Sequence, residues 1–210
     1  EKMKAGAAAA DMNDDGTDDI VFGTDSDNLH VVLSSGISAP NFPVSFSDRI
    51  QSEPAILVLD NGDKIILSGC KDNNFYGVNY NDGSLRFLIP TGDDVFTSAS
   101  YDDDKIYFGS DDGKIYAIDI DGNLIDGYPF DVGDEIVGSV IFSDLDNDGE
   151  SDKIIGTSDG KLHVYDEQNN PFDYFPINYQ FPIASSPLVS DIDGDEDLDI
   201  LVGTSGDLIV

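Results

Sequence analysis

One segment returns five times along this 210-residue chain, and it constrains the fold more than any other feature. Each copy is a short apolar run that reaches a glycine, then a polar turn, then a second apolar run. The copies are Ile20-Val21-Phe22-Gly23-Thr24, Ile65-Ile66-Leu67-Ser68-Gly69, Ile106-Tyr107-Phe108-Gly109-Ser110, Lys153-Ile154-Ile155-Gly156-Thr157 and Ile200-Leu201-Val202-Gly203-Thr204. The glycines stand at 23, 69, 109, 156 and 203, giving spacings of 46, 40, 47 and 47. A period in this range is that of a supersecondary unit that cannot bury its own apolar face and stacks on its neighbours.

The order within each repeat predicts four β-strands. After the glycine comes a tight turn (Asp27-Asn28, Asn73-Asn74, Asp112-Gly113, Asp159-Gly160, Gly206-Asp207), and Asp-Gly between apolar runs points to a type I′ hairpin. A strand follows, then a second turn such as Asp82-Gly83 or Asp121-Gly122. An aromatic-proline pair (Phe42-Pro43, Tyr128-Pro129, Phe175-Pro176) opens the last strand, where an edge position needs no donor from proline. Small residues begin the next repeat: Ser52-Glu53-Pro54-Ala55, Thr97-Ser98-Ala99-Ser100, Gly138-Ser139-Val140 and Ser185-Ser186-Pro187, with Ala7 to Ala10 as the first copy. No window has helical periodicity with caps. The expected fold is all-β, a β-propeller of four-stranded blades. The blades are placed at about 3–50, 51–95, 96–136 and 137–183, with a partial blade at 184–210. About four and a half repeats are expected to be part of a larger propeller.

Charge narrows the function. The formal net charge is −33, and 37 of the 43 acids are aspartate. Glutamate suits helix surfaces, whereas aspartate suits turns and hard-cation sites. Such a charge repels nucleic acid and anionic membranes. No apolar stretch nears the ~20 residues of a membrane helix. The single cysteine, Cys70, rules out a disulfide framework or a cysteine-rich zinc site and reads as a small buried residue.

Three repeats carry a nine-residue acidic loop between the first two strands. These are Asp11-Met12-Asn13-Asp14-Asp15-Gly16-Thr17-Asp18-Asp19, Asp144-Leu145-Asp146-Asn147-Asp148-Gly149-Glu150-Ser151-Asp152 and Asp191-Ile192-Asp193-Gly194-Asp195-Glu196-Asp197-Leu198-Asp199. Oxygen-bearing side chains fill positions 1, 3, 5 and 9, and calcium takes six to eight hard oxygens. Position 7 (Thr17, Glu150, Asp197) would add a backbone carbonyl. An EF-hand would need a glutamate at position 12, where Phe22, Ile155 and Val202 stand, so the ninth aspartate must close the loop. Position 6 is glycine in two loops and Glu196 in the third, which is expected to disfavour the sharp turn there. The second and third repeats carry only short turns, Asp60-Asn61-Gly62-Asp63 and Asp102-Asp103-Asp104.

The aspartate spacing, the following Phe22-Gly23-Thr24 or Ile155-Gly156-Thr157 and the Phe-Pro to Ser-Ser-Pro segments together resemble the FG-GAP (integrin α-type) repeat of cell-surface propellers. The resemblance implies calcium at three sites: Asp11, Asn13, Asp15 and Asp19; Asp144, Asp146, Asp148 and Asp152; and Asp191, Asp193, Asp195 and Asp199. It implies an extracellular or cell-surface module for adhesion or for protein or glycan contact. The stretch from Gly109 to Asp119 also resembles quinone-cofactor and outer-membrane assembly propellers, but those dock blades with tryptophan, and this chain has none. His30 and His163 hold equivalent repeat positions and are expected to serve the blade. The expected function is non-catalytic, with the accessory or catalytic propeller of a secreted hydrolase or lyase as the alternative.

Overall fold

The computed structural model describes residues 1–206 and the backbone of residues 208–209. The expected turn at Gly206-Asp207 includes Asp207, which lies outside the described residues. Every element is a strand. The first sheet holds β1 (Ala8–Ala10), β2 (Asp19–Gly23), β3 (Asn28–Val32) and β4 (Val44–Ser45). The second holds β5 (Ala55–Val58), β6 (Lys64–Cys70), β7 (Asn74–Asn79) and β8 (Leu85–Pro90). The third holds β9 (Ser100–Asp102), β10 (Lys105–Gly109), β11 (Lys114–Ile118) and β12 (Phe130–Asp131). The fourth holds β13 (Ile141–Ser143), β14 (Asp152–Gly156), β15 (Lys161–Tyr165) and β16 (Ile177–Asn178). The fifth holds β17 (Leu188–Ser190), β18 (Asp199–Gly203) and β19 (Leu208–Ile209). Each is an antiparallel meander in sequence order, the construction of a propeller blade.

The chain divides into two compact units, one of residues 1–99 with 119–123, the other of residues 100–118 with 124–210. In the first unit, a core joins Val21, Leu29 and Val31 of the first sheet to Ile66, Tyr76 and Val78 of the second. In the second unit, one core joins Tyr107, Ile115 and Ala117 to Ile155 and Tyr165, and another joins Ile154, Leu162 and Val164 to Val202. Successive strand residues point to opposite faces. Ile155 therefore packs toward the third sheet while its neighbour Ile154 packs toward the fifth. Covered on both faces, β14 is buried at all five positions, including Asp152 and Lys153, whose polar atoms pair with the Leu145 N–H and the Asp166 carbonyl.

The repeated glycine has a steric cause. A Cβ on Gly23, Gly69, Gly109 or Gly156 would lie 2.1 to 2.5 Å from an atom of Ile50, Val95, Ile136 or Ile183 respectively. Those four residues lie midway along the segments joining one sheet to the next. Their N–H groups donate to the carbonyls of Thr24 (3.1 Å), Cys70 (3.2 Å), Ser110 (3.4 Å) and Thr157 (3.4 Å), each just past the glycine. The joint is thus a buried β-branched side chain seated on a bare glycine.

Three details differ from the sequence expectation. The turns after the glycine are not type I′, which needs two positive φ values. Only one residue per turn is left-handed: Asp27 (φ 62), Asn73 (φ 63), Gly113 (φ 78) and Gly160 (φ 84). They are three-residue connections closed by bonds such as Thr157 N–H to the Lys161 carbonyl (3.0 Å). Ala8–Ala10 is the first strand itself, as expected, but the other four small-residue segments lie mostly just before the first strands of their sheets. Their size serves the joint: the Ser52 hydroxyl donates to the Gly69 carbonyl (3.0 Å) and accepts from the Gly69 N–H (2.9 Å). Third, the aromatic-proline bonds Phe42-Pro43, Tyr128-Pro129 and Phe175-Pro176 are cis, directly before the edge strands β4, β12 and β16.

Gly156→Ala is expected to cost about 1–3 kcal/mol in a denaturant melt, because the new methyl overlaps Ile183. Adding Ile183→Ala should cost clearly less than the sum of the two single changes. Simple additivity in that double-mutant cycle would refute the joint.

Candidate metal centre

Each acidic loop links the first and second strands of its sheet, and all three share one set of hydrogen bonds. The position-3 side chain accepts from the position-5 N–H: Asn13 from Asp15 (3.1 Å), Asp146 from Asp148 (3.2 Å) and Asp193 from Asp195 (3.2 Å). Position 5 accepts from the position-7 N–H: Asp15 from Thr17 (2.9 Å), Asp148 from Glu150 (2.9 Å) and Asp195 from Asp197 (3.0 Å). The position-1 carboxylate spans the turn. Its Oδ2 accepts from position 6: Asp11 from Gly16 (2.7 Å), Asp144 from Gly149 (3.0 Å) and Asp191 from Glu196 (3.1 Å). Its Oδ1 accepts from Asp15 (3.0 Å) and Asp148 (3.1 Å) in the first two loops, but from Gly194 (2.6 Å) in the third.

The ninth aspartate closes each loop onto the second residue. Asp19, Asp152 and Asp199 accept through Oδ2 from the N–H of Met12 (3.1 Å), Leu145 (2.8 Å) and Ile192 (2.9 Å). Position 2 is an anchor that sequence reasoning passed over. Met12 is fully buried in the core of the first unit, and Leu145 packs against the core between the fourth and fifth sheets. An apolar residue at position 2 was the available signal, although Ile192 of the third loop is half exposed and anchors nothing.

The third loop follows the same left-handed pattern as the others. Positions 4 and 6 have positive φ throughout: Asp14 (61) and Gly16 (87), Asn147 (61) and Gly149 (96), Gly194 (82) and Glu196 (74). Glu196 does not divert the chain. The hydrogen bonds hold it in a region that costs an L-residue about 1–2 kcal/mol.

The loops differ in how closely they gather charge. Carboxylate oxygens of Asp144, Asp146 and Asp152 lie within 4.8 Å of one another, and so do those of Asp191, Asp193 and Asp195. Asp148 stands outside the second-loop group and Asp199 outside the third-loop group. In the first loop, Asp11, Asp15 and Asp19 form no such group of three among the described residues, and Asn13 contributes an amide. That loop has its own compensation. The Asn13 amide and the Thr17 hydroxyl donate to Asp15 and hold its carboxyl below the usual range, the Thr17 bond being the larger cause. The buried Lys64 ammonium of β6 donates to the Met12 carbonyl (3.1 Å) and to Asp14 (2.6 Å).

The second loop has no such relief. Burial pushes the Asp152 carboxyl up from its ordinary 3.8, and the charges of Asp146, Asp148 and Asp144 push the same way against the Leu145 hydrogen bond. Hard, converging oxygens with surplus negative charge fit a divalent cation bound through oxygen. The residues lie mostly at the surface, with only Asp19 and Asp152 buried.

The two residues best suited to other chemistry are sequestered. His163 is buried, stacks on Tyr165 (5.8 Å) and sits 3.1 Å from its hydroxyl, and burial lowers its pKa. Burial pushes the Cys70 thiol up to about 12. His30 stacks on Phe22 at 5.0 Å in the equivalent blade position.

Residues 144–202 match the model of the FG-GAP-like repeat, a stretch that spans the second and third loops and the strands between them. No curated protein matches the chain. Among solved structures, Sqt1 of Saccharomyces cerevisiae matches with a TM-score of 0.75 at 11% identity, over 95% of this chain and 57% of that one. BamB of Moraxella catarrhalis matches with a TM-score of 0.67 at 14% identity, over 97% and 59%. BBS1N, solved in complex with ARL6DN, matches with a TM-score of 0.66 at 14% identity, over 95% and 62%. These likenesses show the β-propeller fold. The chain spans about three fifths of the length of these structures.

Glu196→Gly should leave the third loop's path unchanged and stabilise the protein by up to about 1 kcal/mol, the gain being trimmed by the freer unfolded chain. Gly149→Ala in the second loop should lose a similar amount. Equal melts for wild type and both variants would show that position 6 carries no strain.

Proposed function

We propose that this chain is a non-catalytic, calcium-stabilised propeller module of a secreted or cell-surface protein, built to contact a protein or glycan partner. The two carboxylate groups, Asp144-Asp146-Asp152 and Asp191-Asp193-Asp195, carry the reading, since their oxygens converge within 4.8 Å. Calcium is the cation that best suits all-oxygen donors on a flexible loop, because magnesium demands stricter octahedral geometry. Asp148, the Glu150 carbonyl and water would complete the second site. Asp197 (through its carbonyl) and Asp199 would complete the third. The first loop offers Asp11, Asn13, Asp15, Asp19 and the Thr17 carbonyl, with Lys64 already supplying positive charge, and is the weakest of the three.

When bound, calcium would supply the countercharge that the second loop lacks, tying the entry of β14 to the end of β13. Binding and folding are then linked. Millimolar extracellular calcium saturates even sites of ~10⁻⁴–10⁻³ M, which supports an external location. No helix among the described residues is long and apolar enough to cross a membrane. Support for a binding role comes from BBS1N, whose structure is a complex with ARL6DN, and from the burial of Cys70 and His163 away from solvent chemistry.

A thermal melt with calcium and then with chelator tests the reading. Calcium at about a hundredfold excess over its dissociation constant should add about 2.7 kcal/mol per site. An unchanged melt on chelation would sink it. Asp148→Ala and Asp195→Ala should each shrink the calcium increment.

Asp152→Asn gives a sharper test. The folded pKa of Asp152 lies above its ordinary 3.8, so the native state holds that proton more tightly than the unfolded one. This group therefore weighs against the metal-free fold increasingly as pH rises from about 3.8 through the raised value. Asp152→Asn should stabilise the metal-free protein at neutral pH yet remove much of the calcium response. A loss of metal-free stability would count against the charge argument.

A further inference from the structure

The second unit holds a cleft of about 410 Å³ between the third and fourth sheets. One wall comes from the third sheet, with Asp102 and Asp103 at the end of β9 and the segment Ile125–Tyr128. The other comes from Glu150 and Ser151 of the second acidic loop and from Glu167–Asn169. The volume lies within the ~300–1,000 Å³ of ordinary ligand sites.

Its lining combines aromatic surface with uncompensated negative charge. Tyr107, Tyr128 and Phe142 form the apolar part. Tyr107 meets Tyr128 edge-on at 5.8 Å and Phe142 at 4.7 Å, and the Tyr128 hydroxyl donates to the side-chain Oδ1 of Asn169 at 3.2 Å. The cleft's own cations are committed elsewhere. The Lys105 ammonium pairs with Asp103, and the buried Lys153 ammonium donates to the Asp166 carbonyl. By contrast, Asp126, Glu150 and Glu167 line the cleft from exposed positions, and among the described residues none of them has an ion pair.

We propose that this cleft receives an arginine side chain of a partner protein. An anionic ligand would meet a lining whose acids, Asp102, Asp103, Asp126, Glu150 and Glu167, outnumber its lysines, Lys105 and Lys153, and a neutral sugar would leave that excess unanswered. A guanidinium answers both features of the lining: it stacks on tyrosine and donates a fork of hydrogen bonds to carboxylates. The net charge of −33 steers basic partners toward the molecule from a distance. The inference rests on the reading of the chain as a binding module and names the chemistry of one contact.

The probe is N-acetyl-arginine amide, with N-acetyl-citrulline amide as its neutral isostere, titrated into the full chain and followed by amide chemical shifts. Saturating calcium is kept throughout, so that a negative result counts against the cleft and not against the metal loops, which the chelation melt tests separately. Arginine amide should shift signals around Tyr107, Tyr128 and Glu150, and citrulline amide should not. The double change Asp126→Asn with Glu150→Gln should weaken binding at least about fivefold, while Asp60→Asn with Asp82→Asn, in the other unit, should not. Shifts spread evenly over the acidic surface, equal binding of citrulline amide, or full affinity in the Asp126 and Glu150 variant would each overturn the proposal.

Discussion

The arrangement of this chain depends on one contact made four times: a buried isoleucine or valine pressed onto a glycine that has no Cβ. The glycine lies at or next to the end of the second strand of a sheet, and the β-branched residue lies midway along the segment leaving that sheet. Its N–H completes the joint by bonding to the carbonyl just past the glycine. Both partners are needed. A side chain on the glycine would collide with the joint at about 2.5 Å or less, and a smaller residue opposite would leave a void. With the joint in place, strands such as β14 are covered on both faces, and adjacent residues such as Ile154 and Ile155 are buried on opposite sides.

The acidic loops are a second layer set on this frame. They hang between two strands whose positions the cores fix, and they are held by hydrogen bonds from their own backbone to their own carboxylates. Met12 and Leu145 pin them inward, while the ninth aspartate closes them. The loops share one backbone path but not one electrostatic state. The first is quieted by Asn13, Thr17 and Lys64, whereas the second brings Asp144, Asp146 and Asp152 together, where burial and the neighbouring carboxylates raise Asp152. The same nine-residue pattern can thus build sites of different affinity.

Much of this was legible in the sequence, for physical reasons that also mark where legibility stops. The glycine period and the aspartate spacing show directly because each position tolerates one or few residue types. Residues 144–202, which match the FG-GAP-like repeat, contain two of the aspartate loops and Gly156. The glycine's partner, Ile50, Val95, Ile136 or Ile183, was not legible, because a lone β-branched residue between polar ones has no periodicity of its own. The turn type was misread because Asp-Gly satisfies a type I′ turn and a three-residue connection alike, and only the φ of the preceding residue separates them. Lys64 escaped notice because it reaches the first loop from another sheet, a proximity that no local window contains. Glu196 was expected to break its turn, but propensity yielded to the hydrogen bonds that its neighbours impose.

The identical joints have a consequence for how such a chain grows and fails. Because each of the first four sheets carries its own glycine and its own closing residue, a duplicated segment brings a complete connector with it and needs no matching change elsewhere. The cost is that damage does not stay local. Ile154 and Ile155 sit side by side on one strand yet belong to different cores, so loosening β14 weakens the neighbours on both sides at once. Stability in the second unit is therefore a nearest-neighbour property, passed from sheet to sheet like the links of a one-dimensional chain.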